Sequence, residues 1–314
     1  MQRIGFVVTE GFQMLGLAGQ AVFEYANTSV GKEVYEMRLL SEKGGPVRSS
    51  LRAALQTERF SGRHFDTLIF DGTNDATPPI TAGLVRFARG AVKRTRRVAS
   101  ICTGAFVLAE AGLLDGRRAT THWYFAREMK TRFPDVAVEE DRIFIIDGPI
   151  WTSAGATAGL DLALAMVEKD LGAEVARSTA RLLVMHHRRV GGQTQHSELL
   201  TLSPKSDRIQ NVINYVEKNL QAKLSVGKLA EVANLSPRQF SRAFQRETGQ
   251  SPARAVEKLR LESARLMIEQ SRHPIVVVAR ETGFVDPRRM REAFMRTFGL
   301  PPQAFRRQAR GKMA

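Results

Sequence analysis

A chain of 314 residues is too long for one ordinary hydrophobic core and suits two domains. Its 43% hydrophobic and 25% charged residues exclude a disordered chain, and no apolar run approaches the length of a membrane span. The formal charge of +15 is unevenly placed: from Ser206 onward 21 Lys and Arg stand against 10 Asp and Glu, while residues 1–205 hold 26 against 22, so the surplus sits in one module suited to phosphate binding.

The opening MQRIGFVVTEGF has too short an apolar stretch for a secretory signal, and a cytoplasmic protein is expected. Residues 1–185 alternate short apolar runs with helical stretches, the pattern of a mostly parallel α/β sheet. Strands are expected at IGFVV (4–8), YEMRLL (35–40), DTLIFDG (66–72) and RRVASIC (96–102), with helices at 18–28, 81–93, 104–111 and 157–170. GGPVRSS at 44–50 lacks the Lys-Ser/Thr ending of a phosphate loop. The run from Lys93 to Arg97 reads as a solvated helix end before a strand.

RRVASICTGAFVLAEAG then carries a buried strand into Cys102, turns at Thr103-Gly104 and becomes a helix. Such an elbow presents a side chain at a helix N-terminus, where backbone N–H groups and the helix dipole favour a thiolate. Twenty residues on, ATTHWYF offers His122 as a base, as part of an aromatic pocket wall, or as a helix-start residue. Cys102 is the lone cysteine, which excludes an intrachain disulfide and a four-cysteine zinc site. It reads as a nucleophile, a pocket wall or a buried structural thiol. His186, His187 and His196 lack acidic partners at a ligating spacing, and neither metal nor cofactor is expected. The polar stretch 186–206 is expected as a linker to a module over 207–314.

That module repeats itself at a period of 50 residues. SPRQFSRAFQRETGQSP (236–252) aligns without gaps on DPRRMREAFMRTFGLPP (286–302), and Val226 matches Val276 upstream. Each copy reads as helix, turn, helix. In the first, Val226, Leu229, Ala230 and Ala233 share a face, and Asn234-Leu235 turns the chain. Ser236 caps the next helix with Pro237 at its first position. Phe240, Ala243 and Phe244 face inward, while Arg238, Ser241, Arg242 and Gln245 face outward and are side chains able to read base edges. In the second copy IVVVARE precedes a turn at Gly283-Phe284, and Asp286 caps a helix presenting Arg288, Arg291, Glu292 and Met295. Pro252 to Ser271 forms an apolar connecting helix of roughly 30 Å, close to one DNA turn.

Residues 207–310 resemble the AraC/XylS family of regulators, above all in the GF-x-D-P…FR signature from Gly283 to Arg306. Met290 stands where that family usually has Phe, and Glu292 where a basic or neutral residue is commoner. The resemblance implies promoter-DNA binding through Arg238, Gln239, Ser241, Arg242 and Gln245 of the first unit and Arg288, Arg289, Arg291 and Glu292 of the second. Residues 1–185 resemble the glutamine-amidotransferase-like, PfpI-type domain, through LAG (17–19), the Cys102 elbow, GLLDGRRATTHW (112–123) and TSAGATAGLDLAL (152–164), with GGQTQ (191–195) beyond. This implies a flavodoxin-like α/β domain joined to an all-α module, and an effector pocket at Cys102, Thr103, Gly104, His122, Gly16 and Asn74. Catalytic relatives carry an acid in the loop after the first strand. Here Gly16 takes that place, and Asp71-Gly72-Thr73-Asn74 replaces a glycine pair after the 66–70 strand. No second proton-transfer group is therefore expected near the elbow, and catalysis is set aside. The implied protein is a homodimeric activator of catabolic genes, acting with RNA polymerase and answering an amino-acid or quaternary-amine effector. Two alternatives stay open: a cysteine-dependent hydrolase or hydratase carrying a DNA-binding domain, and a ligand-blind DNA-binding protein whose first domain only dimerises.

Overall fold

Short, almost wholly buried apolar runs can be strands only where both faces of a sheet are covered, and the first unit is built that way. The computed structural model describes residues 1–60, 64–75, 80–185, 206–271 and 273–311, with Gln195, Leu202 and Pro204. It divides into two compact units, Met1–Gln195 and His196–Ala314. Most of the expected linker, with His186, His187 and His196, lies outside the described residues.

In the first unit β1 (Gln2–Val7) leads through α1 (Gly19–Val30) to β2 (Tyr35–Ser41), and β3 (Gly45–Arg48) with β4 (Ala54–Arg59) follows as a hairpin. The chain returns past β1 as β5 (Thr67–Phe70), α2 (Ala82–Ala91), β6 (Arg97–Ile101) and α3 (Gly104–Glu110). Then come β7 (Arg118–Ala119), α4 (Trp123–Arg132), β8 (Ala137–Val138), the hairpin β9 (Phe144–Asp147) and β10 (Ile150–Ser153), α5 (Thr157–Leu171) and α6 (Ala173–Leu182). The large sheet has the order β3-β4-β2-β1-β5-β6-β10-β9, parallel from β4 to β10 with antiparallel edges at β3 and β9. This is a mostly parallel, flavodoxin-like sheet. Its connections reverse direction between β1 and β5, where open α/β sheets leave a crevice at the strands' carboxyl ends. One core, with Phe6, Phe23, Tyr35, Trp151 and Leu162, lies under α1, α5 and α6; another, with Phe70, Leu84, Phe106 and Met129, lies under α2, α3 and α4.

Every expected strand and helix of this unit is present to within a few residues; the two hairpins, the small parallel pair β7–β8, α4 and α6 went unread. The basic run needs a correction. Arg97 begins β6 and is buried, its guanidinium 2.7 Å from the Asp170 carboxylate of α5 and over the Trp151 ring, while Arg96 joins the same carboxylate at 3.0 Å. Trp151 and Asp170 lie far along the chain, so local polarity made a buried ion-pair partner look like a solvated helix end.

The second unit is helical: α7 (Asp207–Lys218), α8 (Val226–Val232), α9 (Pro237–Thr248), α10 (Pro252–Gln270), α11 (Ile275–Glu281), α12 (Pro287–Phe298) and α13 (Pro302–Gly311). It has two cores that share one helix. Ala255, Val256 and Leu259 of α10 pack with Phe240 and Phe244, whereas Leu261, Ala264 and Ile268 pack with Met290 and Phe294. The halves also meet at Gly283, whose φ of +80° favours glycine and whose missing side chain matters as much. A Cβ there would lie 1.8 Å from the Leu220 carbonyl oxygen, which already accepts a hydrogen bond from Arg260 Nε at 3.0 Å.

Candidate functional site

The helices of the repeat end where the side chains dictate. Ser236 Oγ accepts from the Gln239 N–H while the Gln239 side-chain carbonyl accepts from the Ser236 N–H, a reciprocal cap, and Gly249 closes α9 at φ 73°. Asp286 Oδ1 accepts from the Arg288 N–H, and Gly299 closes α12 at φ 69°. Phe240 and Phe244 are buried beneath α9, and Met290, Ala293 and Phe294 beneath α12. Met290 thus takes a core place that an aromatic ring could fill. Arg238, Gln239, Arg242 and Gln245 are exposed on α9, and Arg288, Arg289, Arg291 and Glu292 on α12. Two polar side chains on α9 are partly occupied: Gln239 by the cap, and Ser241 by donating its hydroxyl to the Pro237 carbonyl at 2.9 Å. Beside α9 lies a cleft of about 500 Å³ bordered by Arg208 of α7 and by Arg242 and Arg246, with Glu247 as its acidic member. Arg208 lay outside the repeat that drew attention to the groove residues.

In the first unit the elbow forms as the strand-to-helix turn implied. Cys102 has a φ of 55°; its N–H donates to the Ser153 carbonyl, and its carbonyl accepts from Thr121 Oγ1 at 2.9 Å. Thr103 Oγ1 accepts from the Thr73 N–H and donates to the Thr73 carbonyl, tying the β5 and β6 ends together. Gly104 is buried at the start of α3. Burial pushes the Cys102 thiol up to about 11, with nearby Asp71 adding to the rise and the Thr103 N–H opposing it. Cys102 is buried, 4% exposed, and its thiol stays protonated at neutral pH, not the activated thiolate that an elbow can produce.

The expectation that no second proton-transfer group stands near the elbow is wrong. Asp71, at the end of β5, puts its carboxyl into the volume that a side chain at Gly16 would occupy: a Cβ on Gly16 would fall 1.8 Å from Asp71 Oδ1. Burial raises this carboxyl to about 8, against the lowering effect of the Gly72 N–H that donates to Oδ1 at 2.8 Å. Its Oδ2 is buried with no hydrogen-bond partner among the described residues. Both departures, Gly16 and Asp71, were visible in the sequence; that the one fills the space the other leaves required the fold.

The remaining expected pocket residues scatter. His122 caps α4, its Nδ1 accepting from the Tyr124 N–H at 3.3 Å, and Trp123 and Tyr124 beside it are exposed. Asn74 accepts from the Gln13 side chain and so bridges the loops after β5 and β1. Of the six, Thr103 alone lines a cavity of about 450 Å³ at the carboxyl ends of β1, β2 and β5. Among the described residues its charged lining is Glu10, Glu42, Asp71 and Asp75 with Lys43, and Phe60, Leu84 and Phe106 supply apolar surface. Among the described residues no group of three His, Cys, Asp or Glu could hold a metal, and no helix is long and apolar enough to cross a membrane.

Residues 4–169 match the DJ-1/PfpI family and residues 229–308 a helix-turn-helix domain. The HTH-type transcriptional regulator GbdR of Pseudomonas aeruginosa is 30% identical over 308 residues, covering 96% of this chain and 83% of that protein. The HTH-type transcriptional regulator GlxA of Rhizobium meliloti is 29% identical, covering 98% of this chain and 97% of the other. An AraC family transcriptional regulator from Pseudomonas putida has a solved structure that superimposes with a TM-score of 0.53 at 22% identity, over 58% of this chain and all of its own, which speaks to the fold. A DJ-1/PfpI unit followed by paired, capped helix-turn-helix units, in a chain aligned almost end to end with such regulators, makes this protein a member of the AraC-type HTH transcriptional regulators with a DJ-1/PfpI domain, and hence a DNA-binding transcription regulator.

Proposed function

We propose that the first unit binds a small organic cation in the cavity at the carboxyl ends of β1, β2 and β5, and that its occupancy governs activation of catabolic genes by the second. One observation carries this reading: among the described residues four acidic side chains and one lysine line the cavity beside an apolar wall, a lining that suits a cation with a hydrocarbon body. The protein then acts in the cytoplasm as a homodimer on promoter DNA, together with RNA polymerase. Base edges are read by Arg238, Gln239, Ser241, Arg242 and Gln245 on α9 and by Arg288, Arg289, Arg291 and Glu292 on α12. Cys102 serves as packing behind the site, since a thiol held up to about 11 is a poor nucleophile near pH 7.

The test is thermal shift of the full-length chain with choline, arginine and tetramethylammonium, set against acetate and citrate. A cation beside Asp71 favours its ionised form, so binding expels a proton and strengthens as pH rises from about 6 toward 8. Stabilisation by at least one cation, larger at pH 8 than at pH 6, is the expected result. Stabilisation by the anions alone would overturn the cation assignment, and no shift with any probe would support the ligand-blind reading.

A further inference from the structure

Gln195, the last residue of the first unit, is held by hydrogen bonds from both its side chain and its backbone. Its side-chain Nε2 donates to the Thr121 carbonyl and the Glu140 carbonyl, each at 2.8 Å, with the Arg142 carbonyl at 3.1 Å and Thr120 Oγ1 at 3.3 Å. The side-chain carbonyl accepts from the Trp123 N–H at 2.8 Å, and the backbone N–H donates to Asp141 Oδ1 at 3.0 Å. One amide therefore pins together the loop that opens α4 and the turn that leads into β9.

Its partners explain the residue type. The NH2 faces backbone carbonyls and the C=O faces a backbone N–H, so the site demands a donor and an acceptor on one planar group. A glutamate here would turn acceptor oxygens toward the Thr121 and Glu140 carbonyls, and an alanine would leave these polar groups without the partner they have.

The placement carries the functional argument. Thr121, whose carbonyl accepts from Gln195, donates its own hydroxyl to the Cys102 carbonyl. Cys102 is joined to Thr103, which lines the acidic cavity and is locked to Thr73 beside it in the same lining. Two hydrogen bonds and one peptide bond thus separate the cavity wall from the chain segment that leads to the DNA-binding unit. We propose that Gln195 is a coupling latch, through which the state of the first unit's cavity is passed to the segment joining it to the DNA-binding unit. This rests on the effector reading above and adds a positioning residue that touches neither effector nor DNA.

A double-mutant cycle tests it, because a chain of contacts is only a candidate route until coupling is measured. Full-length protein, Gln195→Ala, Asp71→Asn and the double variant each drive a reporter from a promoter fragment that the wild-type protein binds. Each is first checked for binding to that fragment and for its melting temperature. With the latch intact, Asp71→Asn shifts reporter output by about fivefold or more; with Gln195→Ala, the same substitution shifts it little, DNA affinity being retained throughout. Equal shifts in both backgrounds overturn the latch, because a merely structural residue gives additive effects. If Asp71→Asn is silent even with Gln195 present, the effector reading fails, and Gln195→Glu decides the latch alone. Altered reporter output at unchanged DNA affinity then supports it, and wild-type output overturns it.

Discussion

Asp71 and Gly16 exchange volume. A carboxyl rises from the end of β5 into the place that a side chain on the β1 loop would fill, and it reaches a site too dry for its charge. The sign of its effect on stability follows. In the unfolded chain the carboxyl ionises near 3.8; in the folded chain burial holds the proton until about 8. Its contribution is best below the lower value. Stability is then lost as pH rises between the two, by roughly 1.4 kcal/mol per pH unit at most. Asp71→Asn removes the ionisation and keeps the shape. We expect melting of the full-length variant to exceed wild type by several degrees at pH 8, with the gap closing toward pH 4. A gap that is absent at pH 8, or widens as pH falls, would show that Asp71 is hydrated rather than buried. The same substitution weakens cation binding in the proposed site, so stability and recognition move in opposite directions at one residue.

At the scale of elements, the recognition helices are the best-defined parts of the functional argument. α9 has a reciprocal cap, an N-terminal proline, two buried phenylalanines and a glycine stop, so its outward face is fixed before any DNA arrives. Arg242 is exposed on that face and also borders the cationic cleft shared with Arg208 and Arg246. Arg242→Ala should cost about 1–3 kcal/mol of specific binding and relax preference at one or two base pairs. Competition between promoter and random DNA at fixed salt measures both. Equal loss on the two DNAs would make Arg242 a phosphate contact instead.

These helices were legible in the sequence because caps, prolines and glycines are local signals repeated 50 residues apart. The central strands were legible because each is a short apolar run. What escaped was decided at long range. Arg97 looks solvated until Asp170 comes to it across the fold. Asp71 looks like an ordinary turn residue until Gly16 leaves it room. Gln195 ends the GGQTQ segment that the family resemblance picked out, but nothing local names its partners, which lie 53 to 75 residues away. The expected pocket around Cys102 followed a family resemblance. The open cavity beside it, sharing only Thr103 with that set, depends on where the β1, β2 and β5 ends meet.

For the whole molecule, the charge surplus in the second unit and the pair of cores on α10 belong to one design. α10 has 19 residues and so measures roughly 28 Å, and the Gly283 turn packed on Leu220 holds the two halves to a fixed spacing. A rigid spacer of nearly one DNA turn lets α9 and α12 enter successive major grooves on one face of the duplex. If α12 enters a groove as proposed, the exposed Glu292 makes that contact the more demanding one, since a carboxylate there needs a cytosine amino group to face. The most direct measurement is methylation-protection footprinting of the full-length protein on a single half-site. The account predicts two protected major-groove segments, about 10 base pairs apart on one face of the DNA. Protection of one short segment, unchanged when the Arg288, Arg289 and Arg291 positions are replaced by alanine, would contradict it.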